Sequence, residues 1–507
     1  MTPTDSGASP CLRVGSGTDA TAVRRAAEDA GGVAVQPAGP TGVQALDPLV
    51  LATLDGRTAF HAKASPDEAA VLAKTLAGGT LPTEDAVAVV EHDPDTGRLP
   101  LPEDGPLSVG RRTVLARAGW VDSTATADLS APATSAATEN PAAFHARIAD
   151  LGLLGRGRGD EQADTPVADA WKTAREAAGD PVVVVNANES DPAVVGDSLL
   201  LTSDPAAVLD GALAVAHAVD ATDVVVYCSE TDERAREGAR AAATGLADEG
   251  PAIEVVTGPD QFTAGEPTMA IESMEGNDRL EARRRPPGPA EHGLYGRPTV
   301  VHTPRTLVQV RHAVVAPEDF DADDADPGTR LVTVGGDVAA PATVELPTGT
   351  SLGAVREAVE TSGRVKMACV GGQFGGLTRD LDTAASAPAL AGAGLGTAGA
   401  VELFGEGRCP VATAGTRAKF ACEENCGRCV PCREGSKQAT DLLRDVYDGE
   451  FAAGKLRELG RVMRETSLCA FGRDAARPMT TAMSEFEAEF RAHAEGRCPS
   501  GACEVEG

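Results

Sequence analysis

The sequence predicts a multidomain protein of the α/β class. Its 507 residues exceed the length of one ordinary domain and indicate three or four domains. Helical periodicity alternates with short β-branched runs over most of the chain, the pattern of mixed α/β folds. Residues 401–507 instead have a helical pattern throughout and contain closely spaced cysteines.

The first 90 residues predict a small α/β unit. Ser65, followed by Pro66 and two acidic residues, is typical of a capped helix start. The other elements expected here are a helix over Ala20 to Ala30, a strand over Gly32 to Val35, and a hairpin of Leu49 to Leu54 and Thr58 to His61. Residues 91–144 follow as a linker with entry helices.

A larger α/β domain is predicted over residues 145–325. Its clearest strands are Val182 to Val185 and Val224 to Tyr227. The first strand runs directly into Asn186, Asn188 and Glu189, and ligands of open α/β sheets bind beyond the carboxyl ends of strands. Residues 326–400 predict a β-rich module with strands Leu331 to Val334 and Thr343 to Leu346 and a helix over Leu352 to Glu360.

The net charge of −31 argues against a nucleic-acid partner, because phosphates require a basic face. Acidic residues spread over every domain instead indicate solubility in a high-salt environment, as in a halophile. No apolar run approaches the roughly 20 residues that span a bilayer, and the N-terminus lacks a signal-peptide pattern. We therefore expect a cytoplasmic protein whose only link to a membrane is through partner subunits.

Cys426, Cys429 and Cys432 form a Cys-x-x-Cys-x-x-Cys run, and Cys469 follows at a distance. This spacing predicts a 4Fe-4S cluster, with Cys469 as the fourth ligand and one-electron transfer as the chemistry. Structural zinc is the alternative, although zinc sites usually show two Cys-x-x-Cys pairs. A disulfide framework fits a long chain without a signal peptide less well.

The segment from Gly155 to Gly159, Gly-Arg-Gly-Arg-Gly, is a candidate phosphate-binding loop. Glycine allows the backbone to approach a phosphate closely, and the two arginines add positive charge. Lys172 offers a further cation, or else is a solvated helix lysine. Asp160 and Glu161, directly after the loop, would repel a phosphate. A plain surface loop is the alternative interpretation.

Together these motifs resemble the NADH-binding flavoprotein subunit of respiratory complex I. They also resemble the beta subunits of NAD-linked hydrogenases and formate dehydrogenases. The resemblance rests on the order of the glycine loop, the segment Asn186 to Pro192, the segments Gly265 to Gly276 and Pro298 to Leu307, and the four cysteines. It covers roughly residues 105–495 and is most specific in the cysteine region.

The resemblance implies that NADH gives electrons to FMN and that FMN passes them to the 4Fe-4S cluster, in a complex with other electron-transfer subunits. It implies a Rossmann-like FMN domain over 145–325, a ubiquitin-like β-grasp module over 326–400 and a helical cluster domain over 401–507. The first 90 residues resemble a thioredoxin-like domain without cluster cysteines. The implied cofactor-binding residues are Gly155, Gly157, Lys172, Asn186, Asn188, Glu189, Gly265, Glu266 and Thr306.

After Arg158 the chain lacks the family's aromatic residue near the implied nicotinamide site, and it departs from the family pattern at four further positions. Pro267 replaces a glutamate, Gly288 replaces an aromatic residue, and His302 and Thr303 replace paired asparagines. These changes leave open a second hypothesis, a non-catalytic docking or relay homologue that keeps the cluster and has lost nicotinamide binding. A component of a formate dehydrogenase or hydrogenase-type complex is a third.

The carboxyl-terminal segment contains a further set of candidate metal ligands. His493, Cys498 and Cys503 could bind zinc, with Cys409 or Cys422 as the fourth ligand. A tail with free thiols is the alternative, because one histidine and two cysteines do not specify a metal by themselves.

Overall fold

The computed structural model describes residues 10–125 and 130–503, whose strands form three sheets. Helices cover the sheets, and the carboxyl-terminal part is helical. The result is a mixed α/β protein of several domains, as the sequence predicts.

The first sheet has the strand order β2-β1-β3-β4-β5 and is covered by two helices that pack against each other. Strands β1 and β2 are parallel, and the other neighbours are antiparallel. The predicted helices and hairpin are confirmed, including the capping box in which Ser65 and Glu68 exchange hydrogen bonds. The elements are β1 (Cys11–Val14), α1 (Ala20–Ala30), β2 (Ala34–Pro37), β3 (Val50–Leu54), β4 (Arg57–His61), α2 (Pro66–Ala77) and β5 (Ala88–Glu91).

The central domain contains a parallel sheet of order β8-β7-β6-β9. Its helix α7 is buried almost over its full length and forms the middle of the largest apolar core. Both predicted strands are confirmed. The elements are α3 (Pro132–Glu139), α4 (Pro141–Leu151), α5 (Val167–Glu176), β6 (Val182–Ala187), α6 (Gly196–Ser203), α7 (Pro205–Val219), β7 (Asp223–Ser229), α8 (Glu233–Gly245), β8 (Ala252–Gly258), α9 (Pro267–Met274), β9 (Thr299–His302) and α10 (Pro304–Val315).

The third sheet has the order β11-β10-β14-β12-β13, with β10 and β14 parallel. The helix predicted over Leu352 to Glu360 is present over Leu352–Ala358, as a 3-10 helix. The backbone N–H of Gly353 donates to the Leu381 carbonyl, a tertiary contact that holds this segment in place. The elements are β10 (Thr329–Gly336), β11 (Ala342–Pro347), β12 (Val365–Val370), β13 (Gly376–Thr378), α11 (Ala387–Gly392) and β14 (Ala400–Gly405).

Six helices form the carboxyl-terminal part: α12 (Pro410–Glu424), α13 (Val430–Asp445), α14 (Ala453–Thr466), α15 (Ala470–Asp474), α16 (Arg477–Glu485) and α17 (Glu487–Ala494). They share one apolar core with Phe262 and Met269 of the central domain and with Met367 and Phe374 of the third sheet. This shared core fixes the cysteine-bearing helices against both neighbours. Among the described residues, no single helix has the length and apolar composition to cross a bilayer. Helices α6 and α7 have this length and composition only when taken together, and the chain bends by 103° between them.

Candidate functional site

The four predicted cluster cysteines meet at one small, almost wholly apolar cavity. Cys429 is the N-cap of α13, Cys432 lies in its first turn, and Cys469 immediately precedes α15. Two segments far apart in the chain thereby bring four thiols to one place, as a 4Fe-4S cluster requires.

Gly472 allows the two cysteine segments to approach each other. A β-carbon at this position would lie 2.8 Å from the Cβ of Cys432 and 2.6 Å from the side chain of Ser467. Burial is the main cause that raises the pKa of the Cys469 thiol to about 12, and burial with the neighbouring cysteines raises the pKa of Cys432. Such buried thiols become thiolates when a positively charged metal centre is present. The donor set therefore fits the cluster.

A second cavity, of about 410 Å³, lies between the central domain and the cluster helices. One wall is the glycine loop with Gly157 and Arg158, and another begins one residue after Cys469. The aromatic wall consists of Phe262, Phe374 and Phe471, which pack edge to face with ring centroids 4.8 to 5.6 Å apart.

Phe471 lines both cavities. One aromatic ring thus separates the larger cavity from the cysteines, so a redox ring bound there would lie next to the cluster. Sequence patterns did not identify these three phenylalanines. A signal was present for two of them: Phe262 stands three residues before Gly265, and Phe471 stands two residues after Cys469.

Charged groups line the remainder of the larger cavity. Arg158 stacks its guanidinium 3.8 Å from the centroid of Phe262 and donates to that residue's carbonyl. Arg285 forms ion pairs with Glu161 at 2.8 Å and Glu266 at 3.2 Å. Burial raises the pKa of Glu161 to about 8 despite Arg285, and the carboxylates of Glu266 and Asp160 add to the increase.

Several implied cofactor residues converge on these cavities. Gly157 and Glu266 line the larger cavity, and Asn186, Asn188 and Glu189 line a small adjoining one of about 20 Å³. Glu189 accepts backbone hydrogen bonds at the start of α6, from Asp197 and Ser198.

Two further implied residues support this region. Gly265 accepts a hydrogen bond from the Asn186 side chain at 3.1 Å, and Gly155 lies in the closed glycine loop. Lys172 is not brought together with them: it is exposed on α5, while the adjacent Trp171 is buried.

The glycine loop closes on the start of α10. Thr306 donates its hydroxyl to Asp160 at 2.6 Å and accepts from the Arg156 backbone at 2.7 Å. A β-carbon at Gly157, whose φ is +83°, would lie 2.5 Å from the guanidinium of Arg305. The size of the cavity and its aromatic wall fit a flavin ring. The hydroxyl of Thr306, an implied cofactor contact, is already hydrogen-bonded to Asp160.

The four departures from the family pattern have local explanations. Pro267 is the first residue of α9, whose N-cap is Glu266, and Thr303 is the N-cap of α10. His302 is fully buried and accepts from Trp171. Gly288 lies near Glu161, so a side chain at this position would extend toward the edge of the cavity.

A separate group of ligands lies at the carboxyl terminus. Cys409, His493, Cys498 and Cys503 place one ligand atom each within 4.8 Å of one another. The Nδ1 of His493 lies 2.7 Å from the Glu489 carbonyl, which leaves Nε2 toward Cys409 at 3.3 Å. Burial acts to raise the pKa of Cys498, but backbone hydrogen bonds from Cys503 and Ala502 outweigh it and lower the pKa to about 6. The structure therefore groups Cys409, not Cys422, with the tail.

Two family models match the chain in the regions just described. The Nuo51 FMN-binding domain matches residues 148–312, and the iron-sulfur binding region of NADH-ubiquinone oxidoreductase-F matches residues 412–493. The first range includes the glycine loop and the parallel sheet, and the second includes all four cluster cysteines.

Three curated relatives align over most of their length. The F 2 subunit of the NADH-quinone oxidoreductase of Rhizobium meliloti is 33% identical over 68% of this chain and 87% of the relative. The F subunit of the same kind of enzyme of Streptomyces coelicolor is 30% identical over 70% of this chain and 84% of the relative. The HndC subunit of the NADP-reducing hydrogenase of Solidesulfovibrio fructosivorans is 29% identical, with 71% and 78% covered.

The fold is similar to that of a chain in the crystal structure of the NAD+-reducing [NiFe]-hydrogenase in the H2-reduced state. The TM-score is 0.66 at 24% identity, with 96% of this chain and 84% of that chain covered. The predicted resemblance is thereby confirmed, and the chain belongs to the family of the NADH-quinone oxidoreductase F subunits.

Proposed function

We propose that this chain is the NADH-oxidising electron-transfer subunit of a multi-subunit oxidoreductase. The observation that carries the proposal is the position of Phe471, which forms a wall of the flavin-sized cavity and of the cysteine cavity at once. Bound FMN supplies the conversion between a two-electron hydride donor and a one-electron acceptor.

The residues of the chain hold and orient the reactants. Cys426, Cys429, Cys432 and Cys469 would hold the cluster, and the phenylalanine wall would pack against a bound flavin ring and exclude water from it. Gly157 lines the cavity and lets the loop pack closely on the guanidinium of Arg305. Glu266, fixed by Arg285 and by the backbone N–H groups of α9, presents its carboxylate at the cavity wall.

Pro267 and Gly288 favour the second function, a relay homologue that keeps the cluster but does not oxidise NADH. One experiment separates the two: an anaerobic visible spectrum of the purified chain, recorded before and after NADH addition. Flavin bands that bleach with NADH support the proposed function. Iron-sulfur absorption without flavin bands, unchanged by NADH, would refute it and support the relay function.

We also propose the domain assignment that the resemblance implies. The first sheet and its two helices suit a thioredoxin-like domain in residues 1–90, of which 1–9 lie outside the described part. The parallel sheet suits a Rossmann-like FMN domain in 145–325, after the linker and entry helices of 91–144. The third sheet suits a β-grasp module in 326–400, although its strand β14 continues to Gly405, and helices α12 to α17 suit a cluster domain in 401–507, of which 504–507 lie outside the described part.

A structural zinc ion bound by Cys409, His493, Cys498 and Cys503 completes the proposal. Three thiols and one imidazole at mutual distances below 4.8 Å suit tetrahedral zinc. The second ring nitrogen of His493 contacts a backbone carbonyl, the usual partner of a metal-binding histidine. The ion would fasten the last described residues to α12 and α17.

The relatives are subunits of NADH-quinone oxidoreductases and of an NADP-reducing hydrogenase. We propose by analogy that this chain works with other electron-transfer subunits and in the cytoplasm. Any association with a membrane would then pass through those partners.

A further inference from the structure

The carboxylate of Asp160 occupies an anion-binding position inside the flavin-type domain. It accepts from the Thr306 hydroxyl at 2.6 Å and from the Thr303 backbone N–H at 3.2 Å, both at the start of α10. His302 donates Nδ1–H at 3.0 Å, and the Gln162 backbone donates at 2.8 Å. The first N–H groups of a helix have no partner within it, and they attract anions. Here the anion belongs to the chain itself.

The surroundings leave no space for a second anion at this position. Asp160 is 3% exposed, and Thr303 and Thr306 are fully buried. The Thr303 hydroxyl also donates to the Arg156 carbonyl at 2.5 Å, which closes the glycine loop onto α10. A phosphate would have to displace the carboxylate and would compete with it for the same donors.

Two buried arginines of this region, Arg156 and Arg305, are already paired. Arg156 contacts Asp326 at 2.7 Å, and Arg305 contacts Asp197 at 2.8 Å and Glu189 at 3.1 Å. Their charges are balanced by carboxylates of the protein, so they add little attraction for a ligand phosphate beside the loop.

We infer that Asp160 takes the place of a ligand phosphate at the start of α10, so that the cavity selects a flavin by its ring and not by its phosphate. This inference rests on the proposed function, because it concerns how that same cavity chooses its flavin. It makes Asp160 a specificity-determining residue: riboflavin and FMN present the same ring to Phe262 and Phe471 and differ only in the phosphate.

The test is a pair of fluorescence titrations of flavin-free, cluster-intact protein, one with riboflavin and one with FMN. For the wild type we expect the affinities for riboflavin and FMN to differ by no more than about threefold. A single charge-assisted hydrogen bond to the phosphate would by itself make FMN bind roughly tenfold more tightly. In Asp160→Ala we expect FMN to bind about tenfold more tightly and riboflavin to remain unchanged. Glu434→Gln, which removes a carboxylate from the surface away from this cavity, should leave both affinities unchanged.

A second measurement does not depend on flavin. Inorganic phosphate should raise the thermal unfolding temperature of Asp160→Ala, because the ion fills the emptied anion position, and should leave that of the wild type unchanged. If Asp160→Ala does not fold, the wild-type ratio of the two flavin affinities decides the question by itself.

The outcomes are distinguishable. A wild-type preference for FMN of about a hundredfold or more would overturn the inference and leave the proposed function intact. An Asp160→Ala protein that gains neither FMN affinity nor phosphate stabilisation would overturn it as well. If neither protein binds either flavin, both the inference and the proposed function fail. If Asp160→Ala binds FMN and the wild type binds neither flavin, the role of Asp160 is supported.

Discussion

Trp171 donates its indole N–H to Nε2 of His302 at 2.7 Å, between two fully buried side chains. Because Nε2 accepts this bond, the proton of the ring lies on Nδ1, which faces Asp160 at 3.0 Å. Trp171, on helix α5, thus fixes the tautomer of His302 at the end of β9. His302 in turn orients the carboxylate of Asp160 at the start of α10.

Trp171→Phe should lower the free energy of unfolding by about 1 to 3 kcal/mol, because it leaves a buried imidazole nitrogen without its donor. Chemical denaturation at neutral pH measures the loss. Lys172→Ala, one residue along on the exposed face of the same helix, is the control and should change stability little. Equal effects of the two substitutions would contradict the assigned role of the hydrogen bond.

Cys429→Ser should abolish the electron paramagnetic resonance signal of the reduced cluster and lower the iron content, because one thiolate ligand is lost. Cys422→Ser is the matched control, since Cys422 lies on the adjacent α12 but does not line the cysteine cavity. Retention of an unchanged signal in Cys429→Ser would remove this cysteine from the ligand set.

Stability should fall as the pH rises from about 4.5 to 8, in part because of Glu161. Its pKa is raised in the folded protein to about 8, chiefly by burial, so the folded state binds the proton more tightly than the unfolded state. The contribution is fully present below the unfolded pKa and is lost as the pH rises through the folded one. The slope for one such group approaches about 1.4 kcal/mol per pH unit.

Glu161→Gln should flatten this part of the stability profile, because a neutral amide does not titrate. Denaturation curves at several pH values, recorded on cofactor-free protein, measure the slope. Glu434→Gln is the control, since this carboxylate is on the surface. A slope identical to that of the wild type would show that Glu161 does not contribute to it.

Elemental analysis of protein purified without chelator should find about one zinc per chain, the content of a single four-ligand site. His493→Ala and Cys498→Ser should reduce the zinc content to near zero while the iron content is retained, because the two ligand groups are separate. Cys422→Ser should keep its zinc. Loss of iron together with zinc would show that the tail ligands belong to the cluster instead.

Local patterns in the sequence were sufficient for several features. The cysteine run was recognisable because its spacing is set within one short segment, and Ser65 with Glu68 marked a helix start that the structure confirms. The helix from Leu352 was predicted, but its 3-10 form was not, because the contact that holds Gly353 comes from Leu381 in a distant segment.

The sequence by itself determined the α/β class, the family and the Cys426–Cys432 run, because each depends on residue types at short, fixed spacings. Only the tertiary structure placed Phe471 between two cavities, grouped Cys409 with the tail ligands and brought Asp160 onto the start of α10. Asp160 and Thr306 alone are separated by 146 positions. These relationships follow from how the sheets and helices pack, which no local pattern encodes.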